Sequence, residues 1–124
     1  MALGSIDLVT VPVTDQDRAK AFYVDQLGFT VKFDYRMEEG NRWVMLTPPG
    51  GGADITLANW FDDIRPGSAK LSLTCDDVDA AFAGLAARGI KADNEVTDAP
   101  WGRWFGFDDP DGNNWLVVQQ PAAQ

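Results

Sequence analysis

Hydrophobic and polar positions change period several times along the chain, and each change marks an element. Residues 6–13, IDLVTVPV, are rich in β-branched side chains and carry one Pro, which suits a strand near a sheet edge. Thr14 or Asp15 is placed to cap a helix over DQDRAKAFYVDQLGF, where Ala19, Phe22, Tyr23 and Leu27 recur at three- and four-residue steps. Gly28 supplies the left-handed stop. Between EEGN and PPGGG, the segments Thr30–Arg36, Arg42–Thr47 and Ala53–Asn59 alternate or run apolar and predict three strands. The stretch from Trp60 to Ser68, WFDDIRPGS, has no periodicity and reads as a linker.

The order then repeats. Lys70–Cys75 is a strand, Asp76 or Asp77 caps a helix with Val78, Phe82 and Leu85 on one face, and that helix stops at Gly89. Strands follow at Ile90–Glu95, Arg103–Phe107 and Trp115–Gln119, with DPDGN as a turn. The chain therefore predicts one α+β domain of two βαβββ modules, about residues 5–60 and 68–120, with 61–67 as the linker. Each half-sheet hides one face behind its helix and leaves the other free, so two such modules can enclose a cleft.

Strand parity says which residues would line it. Leu8, Thr10 and Pro12 share one face of the first strand, while Val9, Val11 and Val13 share the other, which should pack on the helix. In the second module Leu71, Leu73 and Cys75 fall on the helix side and Lys70, Ser72 and Thr74 face inward.

Composition narrows the chemistry. A length of 124 residues makes one domain, and one Cys cannot form an internal disulfide. With no His, the chain lacks the usual proton shuttle and metal ligand, and Ser-His-Asp triads are excluded. Ten Lys and Arg against 19 Asp and Glu give a net charge of −9, which opposes binding to nucleic acid and to anionic lipid. No apolar run approaches the ~20 residues of a membrane helix and no signal core follows the N-terminus, so a soluble, cytoplasmic protein is expected. PPGGG lacks the helix and spacing of a phosphate loop.

The segments VPVTDQDRAKAFYVDQLGF, LSLTCDDVDAAFAGLAARGI and FGFDDPDGNNWLVVQ, in that order over a duplicated plan, resemble the vicinal-oxygen-chelate superfamily. That family groups glyoxalases, extradiol dioxygenases and the fosfomycin- and bleomycin-resistance proteins. The resemblance implies paired βαβββ modules that curl into a U-shaped cleft, and a homodimer. It also implies a divalent metal held by His and Glu from four strands, at places that fall here on Leu8, Thr56, Lys70 and Leu116. Two of these have no donor atom and Lys70 is a cation, so no metal and no cofactor are expected. That departure resembles the bleomycin-resistance type, which sequesters a drug without a metal.

The expectation is thus a metal-free protein that binds a small cationic or aromatic compound. Five Trp supply stacking surface. The expected contacts are Leu8, Thr10, Trp43, Thr56, Trp60, Lys70, Ser72, Trp101, Trp104 and Leu116, whereas Trp115, Phe22 and Tyr23 read as core. Glu38-Glu39 and Asp62-Asp63 read as solvated loop charges or as an acidic rim to the cleft. Two rival readings remain open: an enzyme that uses a buried, deprotonated Lys70 amine as base or Schiff-base former, and a protein-interaction module whose aromatic surface meets a partner.

Overall fold

The computed structural model describes residues 2–38 and 40–121. In chain order the elements are β1 (Leu8–Pro12), α1 (Gln16–Ala21) running into a π-helical turn (Phe22–Gln26), β2 (Thr30–Arg36), β3 (Arg42–Thr47) and β4 (Asp54–Ala58). The second half contains β5 (Lys70–Thr74), α2 (Val78–Ala87), β6 (Thr97–Ala99), β7 (Gly102–Asp108) and β8 (Asn114–Gln119). Two mixed four-stranded sheets result, ordered β1-β4-β3-β2 and β5-β8-β7-β6. In each, the first strand of the module lies parallel to the last, and the remaining neighbours are antiparallel.

Local chemistry sets the helix starts. Asp15 accepts a hydrogen bond from the Arg18 amide at 3.1 Å and caps α1. Thr14, the other candidate, instead donates through its hydroxyl to Asp111 at 2.7 Å. Asp77 accepts from the Ala80 amide at 3.1 Å and caps α2. Gln16 is buried at the base of α1 and donates its amide to the Arg42 and Leu57 carbonyls at 2.6 and 2.8 Å, which pins the helix across β3 and β4.

Two expectations need correction. The first helix is not three regular turns: after Ala21 the Leu27 amide bonds the Phe22 carbonyl, five residues back. This wider turn sets Tyr23 against Trp115 at 5.8 Å between ring centroids and Phe22 against Phe107 at 6.4 Å. The strand expected at Ile90–Glu95 is reduced to a single bridge, Ala92 with Phe107, and pairing resumes only at Thr97. Asn94 explains the gap, because its side-chain oxygen accepts from the Gly106 amide at 2.9 Å where a strand carbonyl would have done so.

One core serves both halves. Val11, Val44, Leu46, Ile55 and Leu57 of the first sheet join Phe105, Phe107, Trp115 and Val117 of the second, with Tyr23 and Phe29 between them. Each such side chain contributes roughly 1.5–3 kcal/mol on burial. The helix-facing sides of both sheets are thereby committed to the interior, which leaves the two opposite faces outside it.

Candidate functional site

The free face of the first sheet is built by register. Thr10 lies beside Thr56, Thr56 beside Met45 and Met45 beside Phe33, which makes one row across all four strands. Tyr35 lies beside Trp43 in a second row. At the end of β4 the chain turns so that the Trp60 ring meets Trp43 at 5.0 Å and 62°, and Phe61 lies 5.5 Å from Trp60. Phe33 and Tyr35 are 54% and 58% exposed although both are large aromatics.

The charges of this sheet are sorted by face. Lys32 and Asp54 form an ion pair at 2.9 Å, and that contact raises the lysine pKa and lowers the aspartate pKa. Asp34, on the helix side, takes two hydrogen bonds from Arg42 at 2.8 Å and one from Lys20 at 2.6 Å, which hold its carboxyl well below the usual range. Thr56 is fully buried and its hydroxyl donates to the Val44 carbonyl at 3.2 Å, so it forms floor beneath the aromatic rows.

On the second sheet the free face carries Lys70, Ser72, Leu116 and Trp104, with Ser72 beside Leu116 and Trp104 beside Val118. Trp101, half exposed, packs on Trp104 at 5.7 Å. Lys70 is exposed in this chain, so the buried amine required by the enzymatic alternative is not formed within it. Its neighbour Asn114 donates to Asp93 and Asp108 at 2.8 and 2.9 Å. Asp62, Asp63 and Glu38 are exposed loop residues, and Glu39 lies outside the described residues.

The ten expected contacts thus fall into two groups. Leu8, Thr10, Trp43, Thr56 and Trp60 belong to the first sheet, and Lys70, Ser72, Trp101, Trp104 and Leu116 to the second. A cavity of about 680 Å³ lies between β5, α2 and the helix-facing side of the first sheet; of the ten expected contacts it takes in Lys70 and Ser72, and Val9, Ile55, Leu71 and Leu85 are among its apolar lining. Cys75 borders it, and burial together with Asp76 and Asp77 pushes the thiol pKa up, which disfavours the reactive thiolate. Sequence reasoning missed Phe33, Tyr35 and Phe61 on the open face.

The donor set does not fit a divalent metal. Leu8 and Leu116 offer no ligand atom, the Thr56 hydroxyl is engaged, and Lys70 is a cation. Among the described residues no group of three or more His, Cys, Asp or Glu converges as a metal cluster.

Comparison with known proteins adds the following. Residues 5–117 match the profile of the Glyoxalase/Bleomycin resistance protein/Dioxygenase superfamily. The chain is 41% identical to TnmS3, an antibiotic binding protein from Streptomyces sp. CB03234, with a TM-score of 0.91 over 98% of this chain and 99% of that one. It is 42% identical to a glyoxalase/bleomycin resistance protein from the same organism, with a TM-score of 0.82 over 93% and 100% of the two chains. A superfamily member from Sphaerobacter thermophilus DSM 20745 is 33% identical, with a TM-score of 0.87 over 95% and 98%.

Proposed function

Because the chain belongs to the Glyoxalase/Bleomycin resistance protein/Dioxygenase superfamily, we propose that it is a metal-free member that binds a small aromatic compound on the open face of its first sheet. The observation that carries this reading is the set of Phe33, Tyr35, Trp43, Trp60 and Phe61 on a surface that offers no metal-ligand set. Large aromatics left outside a core mark binding surfaces. The 41% identity to an antibiotic binding protein supports an antibiotic-like ligand and a sequestering role.

The site takes its second wall from another copy of the chain. Both sheets turn their helix sides into one core, so their open faces are not closed on one another within a chain. A homodimer that sets the first sheet of one protomer against the second sheet of its partner would bring the aromatic rows opposite Trp104, Ser72 and Leu116. Hybrid dimers test this arrangement. With an aromatic antibiotic that the unsubstituted protein binds as the probe, Trp60→Ala and Trp104→Ala homodimers should each bind it poorly in calorimetry, while a purified hybrid of the two variants should recover one sound site per dimer. A hybrid as defective as either parent would place both walls in one chain and overturn the shared site.

A further inference from the structure

The two halves repeat one plan, but their helices fill the seam between the sheets differently. Counted from the N-caps Asp15 and Asp77, Phe22 and Tyr23 of the first half correspond to Gly84 and Leu85 of the second. Phe22 and Tyr23 reach the opposite sheet and pack on Phe107 and Trp115, at 6.4 and 5.8 Å between ring centroids. Gly84 has no side chain to reach back with, and a Cβ added there meets nothing within 4 Å. The space that a ring fills on one side is open on the other, and it forms part of the cavity of about 680 Å³ between α2, β5 and the helix-facing side of the first sheet. That volume falls within the ~300–1,000 Å³ of small-molecule pockets.

The chemistry of its wall differs from that of the open faces. Val9, Ile55, Leu71, Leu73, Leu85 and Val117 make it largely aliphatic. Phe29, Phe107 and Trp115, the rings that border it, are almost wholly buried in the core and offer no free face for stacking. Leu71, Leu73 and Leu85 stay half-buried, so the cavity keeps apolar surface that an occupant would remove from water. Its rim carries Arg88 at the end of α2. The Arg88 Nη1 donates to the Gln26 carbonyl, while among the described residues Nε and Nη2 make no hydrogen bond and the side chain makes no ion pair, although Arg18, Lys20, Lys32, Arg42 and Arg103 each hold a carboxylate. The free Nε–Nη2 edge matches a carboxylate in two-pronged geometry. Lys70 also borders the cavity, but from an edge strand and with its side chain on the opposite face.

We infer that this cavity is a second binding site, separate from the open faces, and that it takes an aliphatic carboxylate: a straight chain of about ten carbons among the leucines, with its head group on Arg88. Gly84 makes the room for the chain and Arg88 anchors the charge. A planar ring system finds no stacking partner there, and a cation meets the Arg88 guanidinium.

Decanoate and its uncharged counterpart 1-decanol test the inference. Calorimetric titration of the intact protein should give one saturable decanoate site per chain, at least about fivefold tighter than that for 1-decanol and weakening as NaCl rises. Cys75 is the single thiol of the chain and borders the cavity, so its alkylation by N-ethylmaleimide should slow in step with decanoate saturation. Gly84→Phe places at this position the ring that the first half carries, and should abolish decanoate binding while Tm holds or rises. Arg88→Gln should weaken decanoate about tenfold and leave both 1-decanol binding and Tm unchanged. No saturable binding of decanoate, or binding unaltered in Arg88→Gln or in a folded Gly84→Phe, would overturn the inference. So would light scattering in which Gly84→Phe converts the protein to a smaller species, because the cavity would then be filled by a second copy of the chain. None of these results bears on the aromatic site, whose tests use antibiotics and variants of Trp60 and Trp104.

Discussion

The Tyr23 hydroxyl donates a 2.6 Å hydrogen bond to Asp109 across the seam between the two modules, and it accepts one from the Trp115 indole at 2.9 Å. Asp109 also holds the Asn113 side-chain amide at 2.9 Å, and that same amide donates to the Pro12 carbonyl at 2.8 Å. Four side chains and the Pro12 carbonyl, drawn from both halves, thus form one buried polar knot, which fixes how the two sheets sit and therefore where their open faces point.

Removing the Tyr23 hydroxyl should loosen this seam. Tyr23→Phe leaves the buried Trp115 N–H without its partner, and urea unfolding at neutral pH should show a loss of ~1–3 kcal/mol. Burial, then the Asp109 charge, raises the tyrosine pKa above its ordinary value. The folded state therefore keeps the proton after the unfolded chain releases it. Stability should fall as pH rises above about 10, and this alkaline loss should be shallower in the variant.

The network on the helix side of the first sheet predicts an acid limb. Asp34 has its pKa lowered by hydrogen bonds from Arg42 and then Lys20. Its stabilisation is present above the ordinary carboxylate pKa of ~3.9 and is lost as pH falls through the lower folded value. Asp34→Asn should cost about 1 kcal/mol or less at neutral pH, with the difference from the parent closing in strong acid.

Two glycines should respond in opposite directions. Gly102 has φ of +141°, and an added Cβ would collide with the Gln119 carbonyl oxygen, so Gly102→Ala should cost roughly 2 kcal/mol or more in thermal unfolding. Gly84, inside α2, has nothing within 4 Å of an added Cβ. There alanine should add about 0.5–1 kcal/mol by helix propensity.

Metal addition should be silent. Zinc, manganese, nickel or ferrous iron added to chelator-treated protein should leave Tm unchanged, since the Leu8, Thr56, Lys70 and Leu116 positions supply no ligand set. A saturable rise in Tm with any of them would contradict the metal-free reading.

Much of the architecture was legible because the periods are clean. β2 and β3 run over the residues that alternation predicts, and Trp115 is core as parity requires. What escaped was local. Val31, Phe33 and Tyr35 have the same parity in sequence, but a register shift between Val31 and Phe33 sends Val31 to the side of Leu46 and the two aromatics to the side of Met45 and Trp43. A bulge of this kind leaves no mark in a hydrophobic pattern, so the two most exposed rings of β2 could not be assigned to the site. Asp109 read as a turn residue, and it is one, accepting from the Asp111 and Asn113 amides at 2.9 Å. Its second role at Tyr23 depends on contact across 86 positions of chain, which spacing cannot show.

The central claim is that a small aromatic compound binds beside Trp43 and Trp60. Titration of the metal-free protein with bleomycin and a panel of aromatic antibiotics, followed by tryptophan fluorescence, tests it most directly. The account predicts saturable quenching at micromolar or lower concentration, smaller in amplitude for Trp60→Phe and weaker in affinity for Trp60→Ala. No saturable response to any compound, or a response unaltered in both variants, would contradict it.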